Sequence, residues 1–119
     1  MRFLVADDSR LSRKKLSMLI EELGHEVVAQ AEDGAVAIEM YKEHKPDYIT
    51  MDLEMPNMKG DESSKHILEM DKDVNIILIT SIVDKKELVN VIKLGVKKVM
   101  QKPVTEEKLR LAIEELQQR

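Results

Sequence analysis

Cysteine is absent from this chain, which excludes a disulfide framework, a thiolate metal site and a cysteine nucleophile, and suits a reducing compartment. No run approaches 18 consecutive apolar residues, so nothing reads as a membrane span. Met1-Arg2-Phe3 leads straight into apolar and then acidic residues, without the long apolar region of a signal peptide. A basic excess is missing as well. The 19 Lys and Arg stand against 23 Asp and Glu, a net charge of -4, which argues against a general nucleic-acid binder because such a protein needs cations to displace counterions from phosphates. No internal repeat, low-complexity tract or linker interrupts the 119 residues. The expectation is one cytoplasmic domain over residues 1–119, with no membrane insertion and no direct DNA binding.

What is present is ordinary for a globular chain: 43% hydrophobic and 35% charged residues, enough to remove roughly 60 to 70% of the unfolded surface from water. Short apolar runs alternate with helical periodicity from end to end. RFLVA (2–6), EVVAQA (26–31), DYITM (47–51), NIILIT (75–80) and KKVMQ (97–101) have strand length and are rich in β-branched residues; most lack polar alternation, as strands covered on both faces do. Between them Leu16, Leu19, Ile20 and Leu23, and again Leu109, Ala112, Ile113 and Leu116, recur at the spacing of one apolar helix stripe. Gly24 and Gly95 follow the last periodic leucines as helix stops. Asp84 with Glu87 reads as a capping box, Thr105 before Glu106 and Glu107 as an N-cap, and Asp33-Gly34 and Pro56-Asn57 as loops. Five strands alternating with five helices predict an α/β protein with a parallel sheet and helices on both faces.

In an open parallel sheet ligands bind beyond the carboxyl ends of the strands. Those ends carry Asp7 and Asp8 after the first strand, Asp52 after the third, Thr80 and Ser81 after the fourth, and Lys102-Pro103 after the fifth. Taken alone, Asp52 at the end of an apolar run suits a helix cap, a metal ligand or a nucleophile. Three carboxylates on one rim need a counter-charge, and hard oxygen donors suit Mg²⁺. A carboxylate can also attack phosphorus and form an aspartyl phosphate, a transfer that asks the protein mainly for in-line positioning and charge neutralisation. In that chemistry Mg²⁺ on Asp8 and Asp52, Lys102 and the Thr80 hydroxyl would each meet one phosphoryl oxygen.

VADDS (5–9), MDLEMPNMKG (51–60), LITS (78–81) and MQKP (100–103) together resemble the response-regulator receiver family, in particular its single-domain CheY-like members, over nearly the whole chain. The resemblance implies a flavodoxin-like (βα)5 three-layer sandwich with strand order 2-1-3-4-5. It implies Asp52 as phosphoacceptor, Asp7, Asp8 and Asp52 with the backbone carbonyl of Glu54 as ligands for Mg²⁺ or alternatively Mn²⁺, Thr80 as switch hydroxyl, and Lys102 as phosphate-sensing lysine before a cis proline. It further implies a histidine kinase as phosphoryl donor and an output partner docking on the face of helix four, strand five and helix five. The expectation is a monomeric signalling protein of chemotaxis type, or a phosphorelay intermediate, that catalyses its own phosphorylation and dephosphorylation without being an enzyme of the ordinary kind. His25, His44 and His66 then need no catalytic role.

Two positions depart from the family pattern. Val99 stands three residues before the lysine, where the family usually has Tyr or Phe, so transmission is expected to rest on Thr80 and the loop from Ser81 to Asp84. Lys59 precedes Gly60, where the family often has Asp. Six Lys between residues 85 and 102 face a single acid, Glu87, as a solvated helix face or a docking surface for an acidic partner. Met51, Met55 and Met58 read as adaptable core filler. Two alternatives stay open on sequence: a pseudo-receiver signalling without phosphate, favoured by Val99, and a metal-dependent phosphohydrolase of the haloacid dehalogenase type, disfavoured by Glu54 followed by Pro56. With the last residue at Arg119, no room for a DNA-binding domain is expected.

Overall fold

The computed structural model describes residues 1–82 and 84–118; Val83, within the loop expected to transmit the signal, and Arg119 lie outside the described residues. The chain alternates β1 (Arg2–Ala6), α1 (Arg10–Glu22), β2 (Glu26–Ala31), α2 (Gly34–His44), β3 (Tyr48–Asp52), α3 (Gly60–Met70), β4 (Asn75–Thr80), α4 (Lys85–Leu94), β5 (Lys98–Gln101) and α5 (Glu106–Gln117). All pairings are parallel, and the strand order is β2-β1-β3-β4-β5. The expected flavodoxin-like sandwich is therefore the observed one. β3 begins and ends one residue later than the apolar run suggests, because Asp52 pairs with Ile79 inside the ladder. β5 starts at Lys98, whose ladder partner is Ile77.

The two-residue period of a strand sorts the core. Leu4, Ile49, Met51, Ile76 and Leu78 face one side of the sheet, where Ala37 and Tyr41 of α2, Ile67 and Leu68 of α3 and Val91 of α4 cover them. Phe3, Val5, Tyr48, Ile77 and Ile79 face the other, under Leu16 and Ile20 of α1 and the stripe Leu109, Ala112, Ile113 and Leu116 of α5. Strands covered on both faces carry no polar alternation, which is why the periodicity was legible as continuous runs. Met51 and Met55 are buried filler, as expected.

Local signals work as their chemistry requires, with one correction. Gly95 caps α4 in the left-handed conformation at φ 108°, and Gly24 follows α1 at φ 91°. Thr105 accepts from the Lys108 N–H and starts α5. Asp33-Gly34 is not a free loop: the Asp33 carboxylate accepts from the Val36 N–H at 2.8 Å and opens α2. The Asp84 carboxylate caps α4 by accepting from the Lys86 N–H, and Glu87, three residues on, stands 3.6 Å from Lys59 Nζ. Lys59 is thereby tied to α4 rather than left free beside the acidic rim.

Candidate functional site: an acidic corner with one ammonium

Parallel pairing brings the ends of β1, β3, β4 and β5 to one edge, and Asp7, Asp8, Asp52, Thr80 and Lys102 arrive there on a strand end or the turn after it. Asp7 is buried and Asp8 exposed in the turn after β1; carboxylate oxygens of Asp7, Asp8 and Asp52 all lie within 4.8 Å of one another. The turn is fixed locally. Asp7 Oδ1 accepts from the Ser9 N–H at 2.9 Å, Ser9 in turn caps α1, and Arg13 reaches back from α1 to donate to the Asp7 carbonyl at 2.7 Å.

Asp52 is the most enclosed of the three, 2% exposed. Its Oδ2 accepts from Lys102 Nζ at 2.9 Å, and its Oδ1 from the Glu54 N–H at 3.3 Å. Burial pushes its carboxyl up to about 6; the hydrogen bond and charge of Lys102 pull it down only in part, and the charges of Asp7 and Glu54 push it up further. One ammonium is thus too little for this corner. For Lys102, burial pulls the ammonium down, but the Asp52 hydrogen bond and charge, followed by Asp7 and Glu54, outweigh it and hold it above the ordinary lysine range. Lys102 is delivered by the turn after β5, where the Lys102-Pro103 bond is cis, as the resemblance implied, and its N–H donates to the Thr80 carbonyl at 2.9 Å. A cleft of about 540 Å³ between α1 and this turn opens beside Asp7 and Lys102.

Thr80 ends β4, buried, and its hydroxyl faces Glu54: Oγ1 donates to Glu54 Oε2 at 2.9 Å. The resemblance to receivers implies a role for the Glu54 main chain alone. The side chain is a further member of the site, as is Arg13, and Ser81, already placed on this rim by the sequence, donates to Glu54 from N–H and hydroxyl. The available signal was register: Glu54 lies two residues past Asp52, beside the end of the neighbouring strand.

Around this corner the backbone is close-packed. An ideal Cβ on Gly60 would stand 2.9 Å from the Asp52 carbonyl carbon, and one on Gly34 would stand 3.0 Å from that of Met58, so glycine is required at both by close approach. Asn57, at φ 65°, donates to Asp33 Oδ2 at 3.0 Å and ties the β3–α3 loop to the start of α2. Val99 is half-buried and, with Thr80, Ile82, Leu88 and Val91, lines a cavity of about 180 Å³ between α4 and the sheet.

Of the six lysines between 85 and 102, Lys85, Lys86 and Lys93 stand exposed on α4. Lys97 donates to the Asp73 carbonyl, Lys98 pairs with Glu115 at 2.8 Å, and Lys102 belongs to the acidic corner. The histidines lie away from the acidic corner's contacts: His25 packs on Phe3, His44 stands beside Glu43, and His66 is exposed on α3. No helix among the described residues is long and apolar enough to cross a membrane.

A five-stranded sheet of this order, with an acidic triad and a lysine at its carboxyl edge, defines a receiver. The chain belongs to the response regulator receiver domain family, whose model matches residues 3–114. It is 37% identical over 112 residues to the chemotaxis protein CheY of Bacillus subtilis (strain 168), covering 94% of this chain and 93% of that one. It is also 37% identical over 102 residues to the chemotaxis protein CheY of Thermotoga maritima, covering 86% and 85%. Among solved structures it resembles a chain of the CheX-CheY-BeF3-Mg+2 complex from Borrelia burgdorferi, at a TM-score of 0.94 and 27% identity over 98% of this chain and 88% of that one. The response regulator domain of Thermotoga maritima CheB gives a TM-score of 0.85 at 31% identity, with 99% and 94% covered. Receiver domains are signalling proteins, and the phosphohydrolase alternative is set aside with that assignment.

Proposed function

We propose that Asp52 accepts a phosphoryl group from a phosphohistidine on a histidine kinase, and that the adduct shifts the protein between two conformations read by a protein partner. The observation that carries this reading is the state of Asp52: buried, held by Lys102 at 2.9 Å, and one of three carboxylates within 4.8 Å. Such a corner is under-neutralised, and its donor set of hard oxygens fits a divalent cation. Asp7, Asp8, Asp52 and the main-chain carbonyl of Glu54 would hold Mg²⁺, or alternatively Mn²⁺; when bound, that ion supplies the missing positive charge at the carboxylates and at one phosphoryl oxygen.

The chain's own residues do the rest. A carboxylate oxygen of Asp52 forms the new O–P bond as the P–N bond of the phosphohistidine breaks, and the departing imidazole nitrogen takes a proton. Lys102, already within hydrogen-bond reach of Asp52, turns to a phosphoryl oxygen and offsets the charge added there. The hydroxyl of Thr80 donates to another. Thr80 moves with the β4–α4 loop, so the adduct biases α4 and β5, and the partner docks on the face of α4, β5 and α5. Exposed Lys85, Lys86 and Lys93 on α4 suit an acidic partner. With a half-buried Val99 in place of an aromatic ring, the cavity beside Thr80 leaves room for loop movement without a ring swing. The resemblance to CheY proteins supports a monomeric receiver unit over 1–119, in the cytoplasm, acting in chemotaxis-type signalling.

The test is to incubate the protein with acetyl phosphate and Mg²⁺ and weigh it intact. Gain of one phosphoryl mass, dependent on the cation and lost in Asp52→Asn, is the expected result; an unchanged mass overturns the reading.

A further inference from the structure

Glu54 sits in the loop after β3, half-buried, with its carboxylate turned across the end of β4. Three donors converge on it. Thr80 Oγ1 donates to Oε2 at 2.9 Å, the Ser81 N–H donates to Oε1 at 3.2 Å, and Ser81 Oγ donates to the same oxygen at 3.1 Å. The Ile82 carbonyl also lies 3.1 Å from Thr80 Oγ1, while the Ile82 N–H donates to that oxygen at 3.1 Å. A hydroxyl has one proton to give, and an ionised carboxylate is a stronger acceptor than a carbonyl. The end of β4 is therefore an anion cradle, and the anion in it comes from the chain itself.

The cradle adjoins the phosphoacceptor position. Asp52 pairs with Ile79, one residue before Thr80, and Glu54 is two residues beyond Asp52. A phosphoryl group on Asp52 and the carboxylate of Glu54 would be two anions seeking the single proton of Thr80. Like charges at that separation repel, so they compete for it.

We propose that Glu54 is a positioning residue that latches Thr80 and Ser81 in the unmodified protein, and that its carboxylate is displaced when those donors turn to a phosphoryl group. This rests on the reading of Asp52 as phosphoacceptor. The latch lowers affinity for the group on Asp52 and holds Thr80 and Ser81 in their resting arrangement until the group arrives.

The test uses beryllium fluoride with Mg²⁺ as the phosphoryl probe, titrated into the whole protein while the Ser81 amide resonance is followed by NMR. Three variants separate latch from charge. Glu54→Asp keeps the charge but withdraws it by one methylene, Glu54→Ala removes both, and Ser81→Ala removes one donor; all leave a main-chain carbonyl at residue 54. The latch predicts that Glu54→Asp binds the probe at least about threefold more tightly than the parent, the low end of what one ordinary hydrogen bond contributes. It also predicts that the Ser81 amide resonance of this variant, before any probe is added, moves toward its probe-bound position. In the Ser81→Ala background the same substitution adds less, as coupled neighbours do. Equal affinity of Glu54→Asp and parent, with Glu54→Ala alone tighter, would mean that only charge matters and would overturn the latch. Failure of parent and variants alike to bind the probe would sink the phosphoacceptor reading and the latch with it, whereas a parent that binds normally beside an unaltered Glu54→Asp sinks the latch alone.

Discussion

Lys102 Nζ donates a 2.9 Å hydrogen bond to Oδ2 of Asp52 across fifty residues of sequence. The pair is unequal: the Asp52 side chain is 2% exposed and the Lys102 side chain 35%. Burial therefore costs the carboxylate more than the ammonium repays, and the Asp52 carboxyl is left at about 6. Replacing Lys102 by Met removes the counter-charge and keeps the apolar stem. The Asp52 titration midpoint, followed by carboxyl-carbon NMR in chelator, is expected to rise above its parent value; an unchanged midpoint would mean the contact is not made in solution.

The same imbalance sets a pH dependence of stability. An acid whose folded pKa stands at about 6 against an ordinary 3.8 binds more protons folded than unfolded between those values. Stability therefore falls as pH rises from about 4 to about 6, by up to roughly 3 kcal/mol. Asp52→Asn carries no such charge, so its urea stability in chelator should lack this decline and exceed the parent at pH 7 by about 1 to 2 kcal/mol, the unpaired but half-exposed Lys102 taking back part of the gain. Parallel curves for the two proteins would contradict the assignment.

Close approach of backbone makes a prediction that involves no charge. The Gly60 N–H donates to the Leu53 carbonyl at 2.9 Å, and an added Cβ would be forced against the Asp52 peptide. Gly60→Ala is expected to cost about 3 kcal/mol, since the obstacle is main chain that cannot swing aside. Urea midpoints measure this, and a loss below about 1 kcal/mol would show that the loop relaxes freely.

The parallel sheet was legible because strands buried on both faces leave continuous apolar runs, and because Leu16 to Leu23 and Leu109 to Leu116 keep helical spacing. The strand order was not contained in those runs; it came from family likeness, and the pairing of β1 with both β2 and β3 agrees with it. Asp7, Asp8, Asp52, Thr80 and Lys102 were legible because topology alone gathers the strand ends. Side-chain partners chosen across loops were not. Glu87 stands beside Lys59 of another element, and Glu54 takes Thr80 and Ser81 because the ends of β3 and β4 lie side by side. Asp33-Gly34 carries the same residue types whether it marks a loop or a helix start; the bond from the Val36 N–H to the Asp33 carboxylate decides for the helix start.

The central claim is that Asp52, and no other carboxylate of the corner, takes the phosphoryl group. Its most direct test is to treat the protein with acetyl phosphate and Mg²⁺, reduce the acyl phosphate with borohydride, and locate the resulting homoserine by peptide sequencing. Homoserine at position 52 alone, absent when Mg²⁺ is withheld, is the predicted result; homoserine at Asp7 or Asp8, hydroxynorvaline at Glu54, or no reduced residue at all, would contradict it.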